Sequence, residues 1–177
     1  MKRTSRLRAI ALFFVLALAA TPCVALAQAQ EERGPSTPEE RAKVVRLTRQ
    51  LERDPLGKDA KEARQWLTVW LIHVPDIVVY PCGSLLGPVV NSSKDDYSAE
   101  LNAQMNFSQA AHIIENPEKA GDIHALLTAS LEGALKTYEA ILKKRPAARR
   151  PYLDDLLAKR DQGEIGAYVK QAMAGCR

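Results

Sequence analysis

DIHALLTASLEGALKTYEAILKKRP, residues 122–146, carries the cleanest helical pattern in the chain and decides the fold class. Ile123, Leu127, Leu131, Ala134, Tyr138, Ile141 and Leu142 recur at three- and four-residue spacing, which lines up side chains on one face of an α-helix. Asp122 has the side chain that caps a helix start, Lys143, Lys144 and Arg145 suit the negative end of the helix dipole, and Pro146 stops the helix.

Working outward, the same grammar repeats. Upstream, Ser98–Glu115 predicts a helix with Leu101, Met105, Phe107, Ala111 and Ile114 mostly inward and Pro117 as its stop. Before it, a helix from about Asp59 to His73 carries Ala63, Trp66, Leu67, Trp70, Leu71 and Val74, and Pro75 ends it. The first helix opens at TPEE, where Thr37 caps, Pro38 fits the first turn and Glu40 completes a capping box. Val44, Leu47 and Leu51 give it an apolar face, and it stops before Pro55. Downstream, Pro151 opens a short helix with Tyr152, Leu153, Leu156 and Leu157, and beyond Gly163 a last one shows Ile165, Val169 and Ala172. Helices this short are marginal alone and must dock on the others.

ALKTYEAILKKRP (Ala134 to Pro146) resembles the second helix of a tetratricopeptide repeat, and LERDP (Leu51 to Pro55) resembles the end of another. Glu118, Gly121, Asp122 and Ala125 stand where that family's first-helix signature would be, and the spacing from Pro55 to Pro146 is no multiple of the ~34-residue period. The resemblance therefore implies helical-hairpin grammar and no repeat array.

VVYPCGSLLGPVV (Val78 to Val90) breaks the pattern with two prolines and two glycines. Ile77 to Tyr80 is β-branched and aromatic, but no partner strand exists elsewhere, so the stretch is expected to be a buried irregular crossover with its valines and leucines packed inside. NSSKDD, residues 91–96, follows as a polar loop.

The N-terminus has the three parts of a secretory signal: Lys2, Arg3, Arg6 and Arg8, then the apolar run Ala9 to Ala20, then Ala25, Leu26 and Ala27 as a small-residue cleavage pattern. Cleavage after Ala27 is expected, which places the protein in the periplasm or outside a bacterium, with no stable membrane insertion once the signal is removed. Lipidation of Cys23 is the alternative start. The organisation expected is a cleaved signal over 1–27, a flexible lead-in over 28–36 and one helical domain over 37–177.

Losing the signal changes both charge and cysteine arithmetic. The chain has 25 Lys and Arg against 21 Asp and Glu, and the four basic residues of the leader account for the difference. A neutral mature chain gives no global support for nucleic-acid binding. Of the three cysteines, Cys82 and Cys176 remain, in a compartment where thiols are normally oxidised. There is no C-x-x-C, so a single disulfide between them is expected, worth ~4 kcal/mol in the chain-entropy model. The fold class is an all-α, compact bundle of about six helices with one buried crossover and one disulfide.

No catalytic, cofactor-binding or metal-ligating set assembles in the sequence. His73, His112 and His124 form no ligand pair of the H-E-x-x-H kind; His112 and Glu115 share a face but are a single copy. GSLLG (Gly83 to Gly87) lacks the spacing and context of a nucleophile elbow. Trp66 and Trp70, one turn apart, read first as core and second as one wall of a ligand pocket shared with the crossover. Lys143, Lys144, Arg145, Arg149 and Arg150 read first as a solvated helix junction and second as a patch for an acidic partner. The function expected is an exported, non-catalytic binding or interaction module for a protein whose identity the sequence leaves open. The alternatives are a binder of a small apolar molecule or lipid in a cavity between helices, and a thiol enzyme built on Cys82.

Overall fold

The computed structural model describes residues 33–91 and 97–176. The expected signal segment, Cys23 and the loop residues 92–96 lie outside the described residues. Six α-helices appear: α1 (Pro38–Arg53), α2 (Ala60–His73), α3 (Ser98–Glu115), α4 (Ile123–Lys144), α5 (Pro151–Asp161) and α6 (Ile165–Ala172), and no strand is present among the described residues.

Local chemistry sets the helix ends. Thr37 Oγ1 accepts from the Glu40 N–H at 3.2 Å while the Glu40 carboxylate accepts from the Thr37 N–H at 3.0 Å, a complete capping box. Asp122 accepts from the Ala125 N–H at 3.0 Å and starts α4. Pro38 and Pro151 sit in the first turns of α1 and α5, where the missing N–H costs nothing.

α4 is the axis of the molecule. Leu126, Leu127, Ser130, Leu131, Leu135, Tyr138 and Ile141 are all buried, on more than one side of the helix, so α4 needs neighbours around it. α3 folds back along it as the other arm of a hairpin, α1 lies across both, α2 covers α1 and α3, and α5 and α6 close the remaining side of α4. Two apolar clusters result. One joins Leu85 and Leu86 of the crossover to Met105, Leu131, Leu153 and Val169. The other joins Val44, Leu51, Leu67 and Trp70 to Phe107 and Ile113.

A polar seam runs where α1, α3 and α4 meet. Gln104 donates to Ser108 at 3.1 Å, Ser108 donates to Glu52 at 3.4 Å, and Arg49 pairs with Glu52 at 2.6 Å. Glu52, Gln104 and Ser108 are buried, so these bonds are what makes their burial tolerable. Gly133 lies against the seam on α4, with Ser108 and Glu52 directly over its Cα.

Four expectations change. Of the lead-in expected to be flexible, residues 33–36 are held: Ser36 donates from its N–H and its hydroxyl to Asp76 at 2.8 and 2.7 Å, and Arg33 reaches Glu40 and the Trp70 carbonyl. Polar composition predicted looseness, but Asp76 supplies acceptors that composition does not reveal. Val78 is 60% exposed, not inside, because the segment before Pro81 alternates its side chains and only Ile77 and Cys82 turn fully inward. On α3, Ile113 is buried and Ile114 only half-buried, a shift of one position round the helix. Residues 83–91, expected to be irregular, form two 3-10 turns that meet at Gly87, where φ is 59° and ψ is −141°. Only glycine takes that conformation readily, and a Cβ there would also collide with the Tyr152 ring.

Candidate functional site

The crossover is fixed to the bundle at four points. Leu85 and Leu86 are wholly buried beneath it. The Tyr168 hydroxyl, from α6, donates to the Leu85 carbonyl at 2.9 Å and lies 2.7 Å from the Tyr152 hydroxyl of α5. Burial, reinforced by the bond to Tyr152, pushes the Tyr168 phenol well above its usual range, so it stays a protonated donor. Gln109, completely buried on α3, accepts from the Tyr80 N–H at 2.8 Å and donates to the Tyr80 carbonyl at 3.0 Å. The fourth point is Cys82, which stands at disulfide distance from Cys176, with the two Cα atoms 5.0 Å apart. The Ser84 hydroxyl is 3.3 Å from Cys82 Sγ.

These attachments leave a cleft of about 500 Å³ at one end of the bundle. Val79, Tyr80 and Pro81 form one wall, Ile123 and Leu127 of α4 a second, and Met173 and Cys176 of the last turn a third. Every lining residue offers an apolar side chain, with the Tyr80 hydroxyl as the polar tip. Tyr80 and Ile123, both part-exposed, stand on the rim. The sequence pointed to the crossover but not to the other two walls. Ile123 was expected to face inward with the stripe; it heads α4, before the helix is covered by its neighbours, and is 40% exposed. Its spacing from Leu127 was the available signal.

The tryptophans stand elsewhere. Trp70 is buried in the α1–α2–α3 cluster, as the core reading expects. Trp66 is only half-buried, stacked on Trp70 at 6.2 Å between centroids, and faces a separate hollow of about 280 Å³ between α1 and α2. Lys43 lies over its ring at 4.0 Å. Trp66 and the crossover line different hollows, and Trp70 lines neither of these two.

The basic cluster disperses. Lys144 pairs with Asp54 at 2.6 Å and Arg149 with Asp154 at 3.0 Å, while Arg145 and Arg150 donate to the carbonyls of Lys144 and Arg149. Lys143 turns toward a different shallow hollow beside Arg53 and Lys136. Exposed pairs of this kind contribute little to stability. The histidines also separate: His73 is exposed at the end of α2, His124 is bonded to the Gly166 carbonyl at 2.8 Å, and Glu115, the neighbour of His112, is taken by Arg49 at 2.6 Å.

Comparison of the chain with protein-family models, with curated proteins and with solved structures finds no match in any of the three.

Proposed function

We propose that this protein is an exported, non-catalytic binding module that receives an apolar partner in the cleft between the crossover, the start of α4 and the last turn. The observation that carries the reading is the cleft itself: an apolar hollow of about 500 Å³ whose rim leaves Tyr80 and Ile123 exposed. Apolar surface grouped in this way favours occupation, because covering it releases water at about 25 cal/mol per Å². Export is supported by the signal-like N-terminus and by the Cys82–Cys176 pair, which an oxidising compartment would keep closed. No helix among the described residues is long and apolar enough to cross a membrane.

A small apolar molecule is the second reading, and the volume favours it, since pockets for such ligands span roughly 300–1,000 Å³. Ile123→Lys tests the shared site. Ile123 is already part-exposed, so the fold should tolerate the change, while a charged side chain at the rim should weaken binding of an uncharged apolar dye such as Nile red by roughly tenfold. Val69→Lys, on the exposed face of α2, is the control and should leave binding unchanged. Equal effects of the two substitutions would reject the cleft.

A further inference from the structure

α1 and α2 border the hollow of about 280 Å³ that Trp66 lines. On α1 the lining residues Lys43, Arg46 and Gln50 fall at i, i+3 and i+7, which is one face of a helix. Asp59, Glu62 and Trp66 repeat the same spacing at the start of α2. Leu47 and Ala63, both buried, supply the apolar part of the lining. The charges are therefore sorted by helix, with cations on the α1 bank and carboxylates on the α2 bank.

Elsewhere α1 pairs its cations with carboxylates: Arg41 meets Asp76 at 2.8 Å, and Arg49 meets Glu52 and Glu115, each at 2.6 Å. Across the hollow, no ion pair joins the two banks among the described residues. Lys43 lies over the Trp66 ring at 4.0 Å rather than against a carboxylate. Asp59 stands at the N-cap of α2, yet its side chain makes no capping bond. Two cations and two carboxylates thus border one small space without neutralising each other.

That arrangement selects a ligand by its charges. A purely anionic or purely cationic molecule is attracted by one bank and repelled by the other. A wholly apolar molecule would strip water from charged groups and return no hydrogen bond to them. A molecule carrying both charges meets both banks with charge-assisted hydrogen bonds. We propose that this hollow binds a small zwitterion of the α-amino acid class. Its carboxylate lies on Lys43 and Arg46, its ammonium on Asp59 and Glu62, and its side chain against Leu47, Ala63 and Trp66. The volume suits that size, since it falls just under the roughly 300–1,000 Å³ of pockets for drug-sized ligands. No residue of this hollow lines the apolar cleft, so the two sites stand or fall separately.

The test follows the nitrogen-15 indole resonances of the full chain while each neutral L-amino acid is added in turn, up to ~10 mM. At least one should move the Trp66 resonance in a saturable way. The amide of that amino acid lacks the carboxylate and its N-acetyl derivative lacks the ammonium, and each should bind at least ~10-fold more weakly. Arg46→Gln and Glu62→Gln alter exposed side chains that hold no ion pair, so both variants should keep the wild-type circular dichroism and melting temperature. Arg46→Gln should weaken the amino acid ~10-fold and leave its amide unchanged, while Glu62→Gln should weaken the amino acid ~10-fold and leave its N-acetyl derivative unchanged. That crossed pattern is not produced by a loss of packing, which would weaken all three alike. A Trp66 resonance that no amino acid moves, equal binding of the three forms, or equal losses in both variants would overturn the proposal. An amino acid that moves Met173 instead of Trp66 would also overturn it and place the ligand in the cleft.

Discussion

Replacing Gly133 by alanine sets local propensity against packing, because the two predict opposite signs. In an exposed helix interior Gly→Ala stabilises by about 1 kcal/mol. Gly133 instead lies where α4 meets the polar seam, and a methyl group there would overlap the Ser108 hydroxyl and stand 2.6 Å from Ser108 Cβ and 3.2 Å from Glu52 Oε1. The hydroxyl can rotate away, but Cβ is fixed to its helix, so α3 and α4 must separate. Overpacking of this kind costs about 1–3 kcal/mol. Rotation of Ser108 also forfeits its contacts with Glu52 and Gln104, and leaving such buried groups unsatisfied costs about 1–3 kcal/mol more. With the propensity gain subtracted, Gly133→Ala should destabilise by roughly 3 kcal/mol. Urea unfolding followed by helical circular dichroism reads this as a lower midpoint with little change in slope. Combining it with Ser108→Gly, which removes both the hydroxyl and Cβ, should recover part of the loss and give a coupling energy of opposite sign to the single effects. A midpoint for Gly133→Ala at or above wild type would refute the reasoning, because the seam would then have room that the packing denies it.

Cys176→Ser removes the closure of a loop of 94 residues, for which the chain-entropy relation gives about 4–5 kcal/mol; thermal unfolding should fall accordingly, and labelling of both cysteines in unreduced wild-type protein would contradict the pairing. Gly87→Ala should cost on the order of 3 kcal/mol, since it adds backbone strain at a positive φ to a clash with Tyr152, and wild-type stability for it would mean that the 3-10 turns do not meet there. For Asp76, burial opposes ionisation, but the Ser36 N–H, the Ser36 hydroxyl and Arg41 outweigh it and hold the carboxyl at about 2. A folded pKa below the unfolded value makes this contribution fully present above about pH 4 and lost as pH falls toward 2. Asp76→Asn should therefore be less stable than wild type at pH 7, with the gap closing through that window in unfolding titrations; a pH-independent gap would show that the charge is not what matters.

The helices were legible because their signals are local. The capping box at Thr37, the prolines at 38 and 151, and the stripe through Leu127, Leu131 and Ile141 each act within a few residues, and each was found where the pattern put it. The disulfide partner of Cys82 was legible by count. What the sequence hid depends on contacts between distant residues. Nothing near Gln109 marks it as the partner of Tyr80, 29 positions away, and nothing near Gly133 marks it as the crossing point of three helices. The exposure of Val78 was missed for a related reason, since an apolar run without a sheet to join looks like core until one residue's backbone is seen to be paired on one side. Of the candidate site, one wall was legible, and the Ile123 and Met173 walls arise only when α4 and the last turn are brought together.

The most direct test of the cleft uses the two methionines beyond the first residue as paired reporters. Met105 is buried in the core at 2% exposure, and Met173 lines the cleft. With carbon-13 in the methionine methyl groups, titration of the apolar dye should move the Met173 resonance and leave Met105 in place. A Met173 resonance that stays fixed at saturating probe, or that moves only together with Met105, would contradict the assignment of the cleft as the binding site.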